Sequence, residues 1–210
     1  MENKNEWNLR DYEKTLKEVS YDKNNKKYMT ESQIRIICFD DFVTKKYVPK
    51  CKLKATLSSN DALYCFEEDR YIFIEFKNGR LVDKKNKNFK NEELRKLEKK
   101  NIDSMFVLLD LTNKCFDELV KKTEYILVYN KENNDIESLQ EIGSYFIKEG
   151  KSKAETETID EIICFGLEKF KGYCFKSIHT YSKEEFEEKF VKKIEKRMKK
   201  IKNDNKNVNL

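Results

Sequence analysis

The sequence predicts a mixed α/β (α+β) domain in which a central sheet is flanked by helices. Three observations carry that expectation. Two apolar segments, 61–66 and 71–77, follow each other across a short acidic turn; a long apolar-periodic stretch covers 91–112; and a compact apolar run, Tyr125 to Tyr129, comes after it. Both paired segments carry apolar residues on both faces, with Leu63 and Cys65 on one side and Ala62, Tyr64 and Phe66 on the other. Strands of that kind lie inside a sheet covered on two sides. Only one Pro and five Gly in 210 residues argue against a turn-rich β sandwich.

Leu9, Tyr12, Leu16 and Val19 have helical spacing and predict a short helix over 6–19, followed by a polar linker from Tyr21 to Tyr28. Ile34, Ile37, Cys38 and Phe42 predict a second helix over 31–43, which Pro49 should not allow to continue. Cys51 to Leu57 alternates apolar and polar residues and predicts a half-buried strand. The two central strands are joined by Glu67-Glu68-Asp69, and Asn78-Gly79 ends the second with turn chemistry. Asn91 is placed to cap a helix with Glu92 and Glu93 in its first turn, where they suit the positive end of the dipole. Its apolar positions run through Leu94, Leu97, Ile102, Met105, Phe106 and Leu109. A strand over 104–111 competes, but Leu and Met outweigh β-branched residues there, which favours one long helix. Phe116 to Lys122 adds a short helical segment before the strand 125–130. Residues 131–160 read as a polar loop or insertion. Apolar structure resumes over 159–170 and in a strand at 172–178, and Ser182 with Glu185 forms a capping box opening a last helix with Phe186, Phe190, Ile194 and Ile201 inward. The expected organisation is an N-terminal helix and linker (1–30), a core (31–130), the polar insertion (131–160), a C-terminal strand and helix packed on the core (161–202), and a disordered tail (203–210).

Charged residues make up 40% of the chain and apolar ones 38%, so the expected surface is heavily charged over a core rich in Phe and Tyr. A net charge of +5 permits nucleic-acid binding without requiring it. The six cysteines form no CxxC pair and no zinc-ligand spacing. The first residues lack the apolar stretch of a signal peptide, and no apolar run reaches membrane-spanning length, so a cytoplasmic protein with no membrane partner is expected. The Lys, Asn and Ile bias suggests an AT-rich bacterial or phage genome.

One carboxylate, Glu75, interrupts the apolar strand 71–77, and Lys77 follows two residues later. Side chains alternate along a strand, so Tyr71, Phe73, Glu75 and Lys77 share one face. If the loop is 67–69, Phe66 pairs with Arg70 and Asp61 lies directly opposite Glu75. Such partners have Cβ atoms about 4.5–5.5 Å apart, close enough to share one cation; a slip of one residue would send them to opposite faces. Two carboxylates suit Mg²⁺ or Mn²⁺, hard ions that keep waters and phosphate oxygens in their remaining positions. A neighbouring lysine can orient the attacking water and neutralise phosphoryl charge. With 44 basic and 39 acidic residues, Glu-x-Lys also arises by chance. Its weight here comes from the apolar strand around it, where unpaired charge is costly.

With Asp61, Glu75 and Lys77 so placed, the order helix (31–43), strand (51–57), strand (61–66), strand (71–77), helix (91–112), strand (125–130) resembles the PD-(D/E)XK, restriction-endonuclease-like nuclease superfamily over about residues 31–130. The resemblance implies an αβββαβ core, metal-ligand roles for Asp61 and Glu75, and a catalytic role for Lys77. A further acid from the first core helix, Asp40 or Asp41, would complete the metal set. Asn60 stands where Pro would complete the literal motif. The implied activity is metal-dependent cleavage of DNA. The alternative on the same scaffold is a catalytically inactive regulator or inhibitor that binds nucleic acid or protein, for example in phage–host conflict. A protein partner or a homodimer is compatible with either. Lys84, Lys85, Lys87 and Lys90 are placed to contact a phosphate backbone. His179, the lone histidine, reads as a hydrogen-bonded structural residue, and the Lys-rich segment 192–202 reads as a solvated helix face.

Overall fold

The computed structural model describes residues 7–67, 70–83, 88–134 and 165–207. Its centre is a six-stranded mixed sheet whose strands lie side by side in chain order. They are β1 (Glu13–Thr15), β2 (Arg35–Cys38), β3 (Ala62–Glu67), β4 (Arg70–Lys77), β5 (Thr123–Tyr129) and β6 (Ser177–Ser182). Neighbours from β1 to β4 run antiparallel, while β4–β5 and β5–β6 run parallel. Parallel neighbours need a crossover. Between β4 and β5 it is provided by the helices α2 (Asn91–Thr112) and α3 (Phe116–Lys122).

Alternation along these strands divides the core in two. Ile37, Leu63, Phe73, Tyr125 and Leu127 pack with Phe39, Phe42, Leu97, Met105 and Leu108 on one face. Ile36, Ala62, Ile72, Ile74, Ile126 and Val128 pack with Phe186, Phe190, Val191 and Ile194 on the other. The second group includes residues of α4, which begins at Lys183–Phe186, passes through a π-helical Glu187–Val191 and ends in Lys192–Asn207. Helices therefore cover both faces, and the doubly apolar strands are buried on both sides. Among the described residues no helix is long and apolar enough to cross a membrane.

Several expectations need correction. Residues 31–43 are not one helix. Ile36 and Ile37 are buried on opposite faces of β2, and helix begins only at Phe39. A β-branched run buried on two sides fits a strand better than one helix stripe. Phe39–Phe42, a π-helical Val43–Tyr47 and Val48–Lys50 then form α1. Pro49 does not stop it at once. The π turn takes the Val48 N–H back to the Val43 carbonyl and ends the regular α spacing just before the ring, so the helix closes at Lys50. Residues 51–57 form no strand: 52–56 are exposed, Lys52 has φ 52°, and β2 pairs directly with β3 through Ile37 and Leu63. The segment 6–19 divides into a 3₁₀ turn (Leu9–Tyr12), β1 and a helical turn (Leu16–Val19) held by a Thr15–Glu18 capping box. The linker 21–28 contains a small hairpin, Tyr21–Asp22 with Lys27–Tyr28. The last strand runs over 177–182 rather than 172–178, because it is these residues that ladder with β5. His179 lies within it, its ring stacked on Tyr181. The final helix continues to Asn207, past Lys202. Most of the expected insertion, 135–160, lies outside the described residues.

Helix α2 spans 91–112 as expected, and the competing strand is absent. Its cap residue is Lys90, not Asn91, and no side chain completes the cap. The Ser182–Glu185 capping box is present. Phe106, expected on the inward stripe of α2, is 63% exposed, whereas Phe73 on β4 is fully buried. Phe73→Ala should therefore lower unfolding free energy by about 3–5 kcal/mol. Phe106→Ala should change it by less than about 0.5 kcal/mol. Urea unfolding of both variants checks the contrast.

Candidate active site

The β3–β4 ladder pairs Ala62 with Ile74, Leu63 with Phe73 and Tyr64 with Ile72. One further step brings Asp61 level with Glu75. Near the turn the register shifts, and Glu67 pairs with Arg70, leaving two residues between them instead of the expected three. An irregularity between Tyr64 and Glu67 absorbs the extra residue, so the shorter turn does not turn Asp61 to the other face.

Asp61 is held at the mouth of the strand pair by its backbone and side chain together. Its carbonyl accepts the Phe39 N–H at 3.0 Å, and its Oδ2 accepts the Phe76 N–H at 2.8 Å. The carboxylate thus occupies the place of a ladder partner beyond the end of β3. Its Oδ1 accepts from Lys100 at 3.0 Å. Glu75 is 1% exposed, on the sheet face covered by α2, and both of its oxygens lie 2.7 Å from Lys100 Nζ. One ammonium therefore bridges the two carboxylates. Lys77 lies 4.0 Å from Glu75 Oε1 and donates to Glu93 Oε2 at 3.1 Å.

The charges in this cluster are strongly coupled. Burial, and after it the negative charge of Asp61, pushes the Glu75 carboxyl up to about 7, against the opposing pull of Lys100 and Lys77. Burial disfavours the Lys100 ammonium, but Glu75 and Asp61 outweigh it and raise its pKa, so it stays charged. Burial also works to raise Glu93, but hydrogen bonds from Lys96 and Lys77 hold it below the usual carboxylate range. Tyr125 is fully buried, and burial with the charges of Glu75 and Asp61 pushes its hydroxyl well up. The Asn60 and Asn101 side chains are completely buried without a well-formed hydrogen bond to a described residue.

Lys100 and Glu93 were not among the candidates read from sequence. Lys100 sits three residues after Leu97 and four before Ser104, on the inward stripe of α2. Three consecutive polar members of that stripe, Lys100, Asn101 and Ser104, were the available signal. Asp41, expected as a third metal ligand, does not join Asp61 and Glu75. Its carboxylate is taken by Lys14 and Lys45, and Asp40 accepts from Ser59. The cause is the corrected chain path: both acids lie in the first turn of α1, directly after β2, where β1 brings Lys14 alongside. Among the described residues no group of three or more His, Cys, Asp or Glu side chains is gathered to hold a metal. Lys84, Lys85 and Lys87 lie outside the described residues; Lys90 is exposed at the start of α2.

Asp61, Lys77 and Glu93 line a cavity of about 820 Å³ whose other walls are the first strand and turn of the small hairpin (Tyr21 to Asn25), the segment from Asn78 to Leu81 and the start of α2 from Lys90. Glu75 and Lys100 are not part of its lining. The bridging ammonium is a stand-in for a small cation, and the donors around it are hard carboxylate oxygens. Asp61 and Glu75 thus fit a divalent ion such as Mg²⁺ or Mn²⁺, provided that Lys100 withdraws. Comparison of the chain with protein-family models, curated proteins and solved structures found no match.

Removing the ammonium leaves Glu75 buried beside Asp61 with only Lys77, 4.0 Å away, to offset its charge. Lys100→Met should lower unfolding free energy by about 3–5 kcal/mol. Adding Glu75→Gln to that variant should restore most of the loss. Urea titration of the three proteins measures both effects.

Proposed function

We propose that the chain is a metal-dependent phosphodiesterase acting on DNA, of the PD-(D/E)XK, restriction-endonuclease-like type. The observation that carries this reading is the convergence of Asp61 and Glu75 on one cation position, at 3.0 and 2.7 Å from a single nitrogen. Three neighbouring antiparallel strands (β2–β4), with α1 in the connection between β2 and β3 instead of before the first strand, and then a helical crossover into a parallel strand, support the same reading. Lys77 supports it further, placed on the acid-bearing face next to the open cavity.

Asp61 and Glu75 would hold a divalent ion, whose chemistry when bound would be to activate a water and neutralise phosphoryl charge. The protein's own groups do the rest. The Phe76 N–H and the buried setting of Glu75 fix the two carboxylates, so little reorganisation is needed as charge develops. Lys77 exchanges Glu93 for the scissile phosphate and orients the attacking water. Lys100 leaves the carboxylates and stays close as a second positive charge.

One observation favours a second reading. The Lys100 bridge already satisfies both carboxylates, and the third acid, Asp41, is committed to Lys14 and Lys45. A closed triad of this kind suits a catalytically inactive scaffold that binds nucleic acid or a protein partner.

Cleavage of plasmid and single-stranded DNA with Mg²⁺ or Mn²⁺ separates the two. The wild type should cut, EDTA should abolish cutting, and Glu75→Ala and Lys77→Ala should each lower the rate at least about 100-fold. Metal binding requires ionised Glu75, whose carboxyl is raised to about 7, so the rate should climb as pH rises through that value. Equal activity in all three proteins removes the phosphodiesterase reading. Absence of activity in all three leaves the binding scaffold.

A further inference from the structure

The cavity beside Asp61 and Lys77 is a built space. Its outer wall, the first strand and turn of the Tyr21–Tyr28 hairpin, is tied to the end of β4 by Asn78, which donates to Asp22 at 2.8 Å. Asn78 is itself fixed by the Asn130 amide at 2.7 Å, and the Asn78 carbonyl by Asn133 at 2.6 Å. The hairpin is therefore anchored to the acid-bearing strand. On it, Tyr21 and Tyr28 lie with ring centroids 4.8 Å apart and remain 38% and 42% exposed. Tyr21 lines the cavity, and the Lys17 ammonium lies over the Tyr28 ring.

The charges of the lining are unevenly satisfied. Glu92 and Glu93 are held by Lys96, Asp61 by Lys100, and Asp22 by Asn24, Asn25 and Asn78. Lys23, Arg80 and Lys90 line the same cavity, are exposed, and have no ion-pair partner among the described residues. The amides leave the Asp22 charge in place, but three unpaired cations outnumber that one uncompensated acid, so the ligand that fits is anionic. An exposed aromatic face beside spare cations is the combination that holds single-stranded nucleic acid, by base stacking and phosphate contact together. A volume of about 820 Å³ is that of a small-molecule pocket. It has room for a nucleotide or two, and a base can lie flat on the exposed Tyr21 ring only when it is unpaired and unstacked from its neighbours.

We propose that this cavity binds single-stranded DNA, with one unpaired base stacked on Tyr21 and the adjoining phosphates held by Lys23, Arg80 and Lys90. This deepens the phosphodiesterase reading, which it rests on for the position of the strand beside Asp61 and Lys77. The substrate would then be a single strand, a flap or a frayed end rather than continuous duplex.

Binding can be measured without cleavage, using the full chain in EDTA and the fluorescence anisotropy of a labelled oligo-dT of about 12 nucleotides, against a duplex of the same length. The single strand should bind at least about tenfold more tightly than the duplex. Tyr21→Ala should weaken that binding about tenfold, and Tyr21→Phe, which keeps the stacking face, should retain it. Arg80→Ala with Lys90→Ala should reduce the slope of log affinity against log salt by roughly 1.4. Duplex binding as tight as single-strand binding, or no loss in Tyr21→Ala, overturns the proposal. Tyr21-dependent binding of the single strand with no cleavage in Mg²⁺ would uphold the cavity's ligand while removing the phosphodiesterase reading.

Discussion

A single ammonium, that of Lys100, makes it possible for this sheet to contain Glu75. A carboxylate almost completely buried between apolar strands is strongly disfavoured unless a cation meets it. Lys100 reaches it from α2 and contacts Asp61 at the same time, so three elements meet at one charge: the end of the chain leading into β3, the C-terminal half of β4, and the third turn of α2. The position of α2 on the sheet is therefore specified by polar geometry as well as by Leu97, Met105 and Leu108. Apolar contacts tolerate small shifts along a helix, but a bridge at 2.7–3.0 Å to two carboxylates does not. The same bridge bears on the proposed chemistry, because a divalent ion would require the oxygens that Lys100 contacts.

The parts of this arrangement that depend on local pattern were legible in the sequence. Alternation put Glu75 and Lys77 on one face, and two-sided apolar character identified β3 and β4 as inner strands. The level pairing of Asp61 with Glu75 followed from an assumed three-residue turn. The actual turn is shorter, and the pairing survives because the irregularity between Tyr64 and Glu67 takes up the difference. A bulge depends on cross-strand fit and leaves no mark in composition. Helix α2 was legible over its whole length because Leu, Met, Glu and Lys favour helix throughout.

What was not legible depends on partners distant in sequence. Ile34, Ile37, Cys38 and Phe42 satisfy a helical stripe, but Ile36 and Ile37 find apolar neighbours on two faces of a sheet, and tertiary packing overrides the period. Cys51 to Leu57 alternates like a strand, yet β3 already occupies the edge of β2 that it would need. The expected role of Asp41 failed for a related reason: β1 adds to the opposite edge of β2 and brings Lys14 to that carboxylate. Lys100 belongs to the same class. Its place on the inward stripe of α2, beside Asn101 and Ser104, sets it apart from Lys96 and Lys99, but only the docking of α2 over β4 gives it its two carboxylates. The asparagines that join the Tyr21–Tyr28 hairpin to the ends of β4 and β5 also make sense only as a network, since each satisfies backbone or side-chain groups far from itself in the chain.

The central claim, that Asp61 and Glu75 form a divalent-cation site which Lys100 occupies in the metal-free protein, is open to direct observation. Crystals equilibrated with millimolar Mn²⁺ near pH 8 should give an anomalous scattering peak bonded to oxygens of both carboxylates, with the Lys100 side chain withdrawn from them. An ammonium still bridging Asp61 and Glu75, with no manganese between them, would contradict the account.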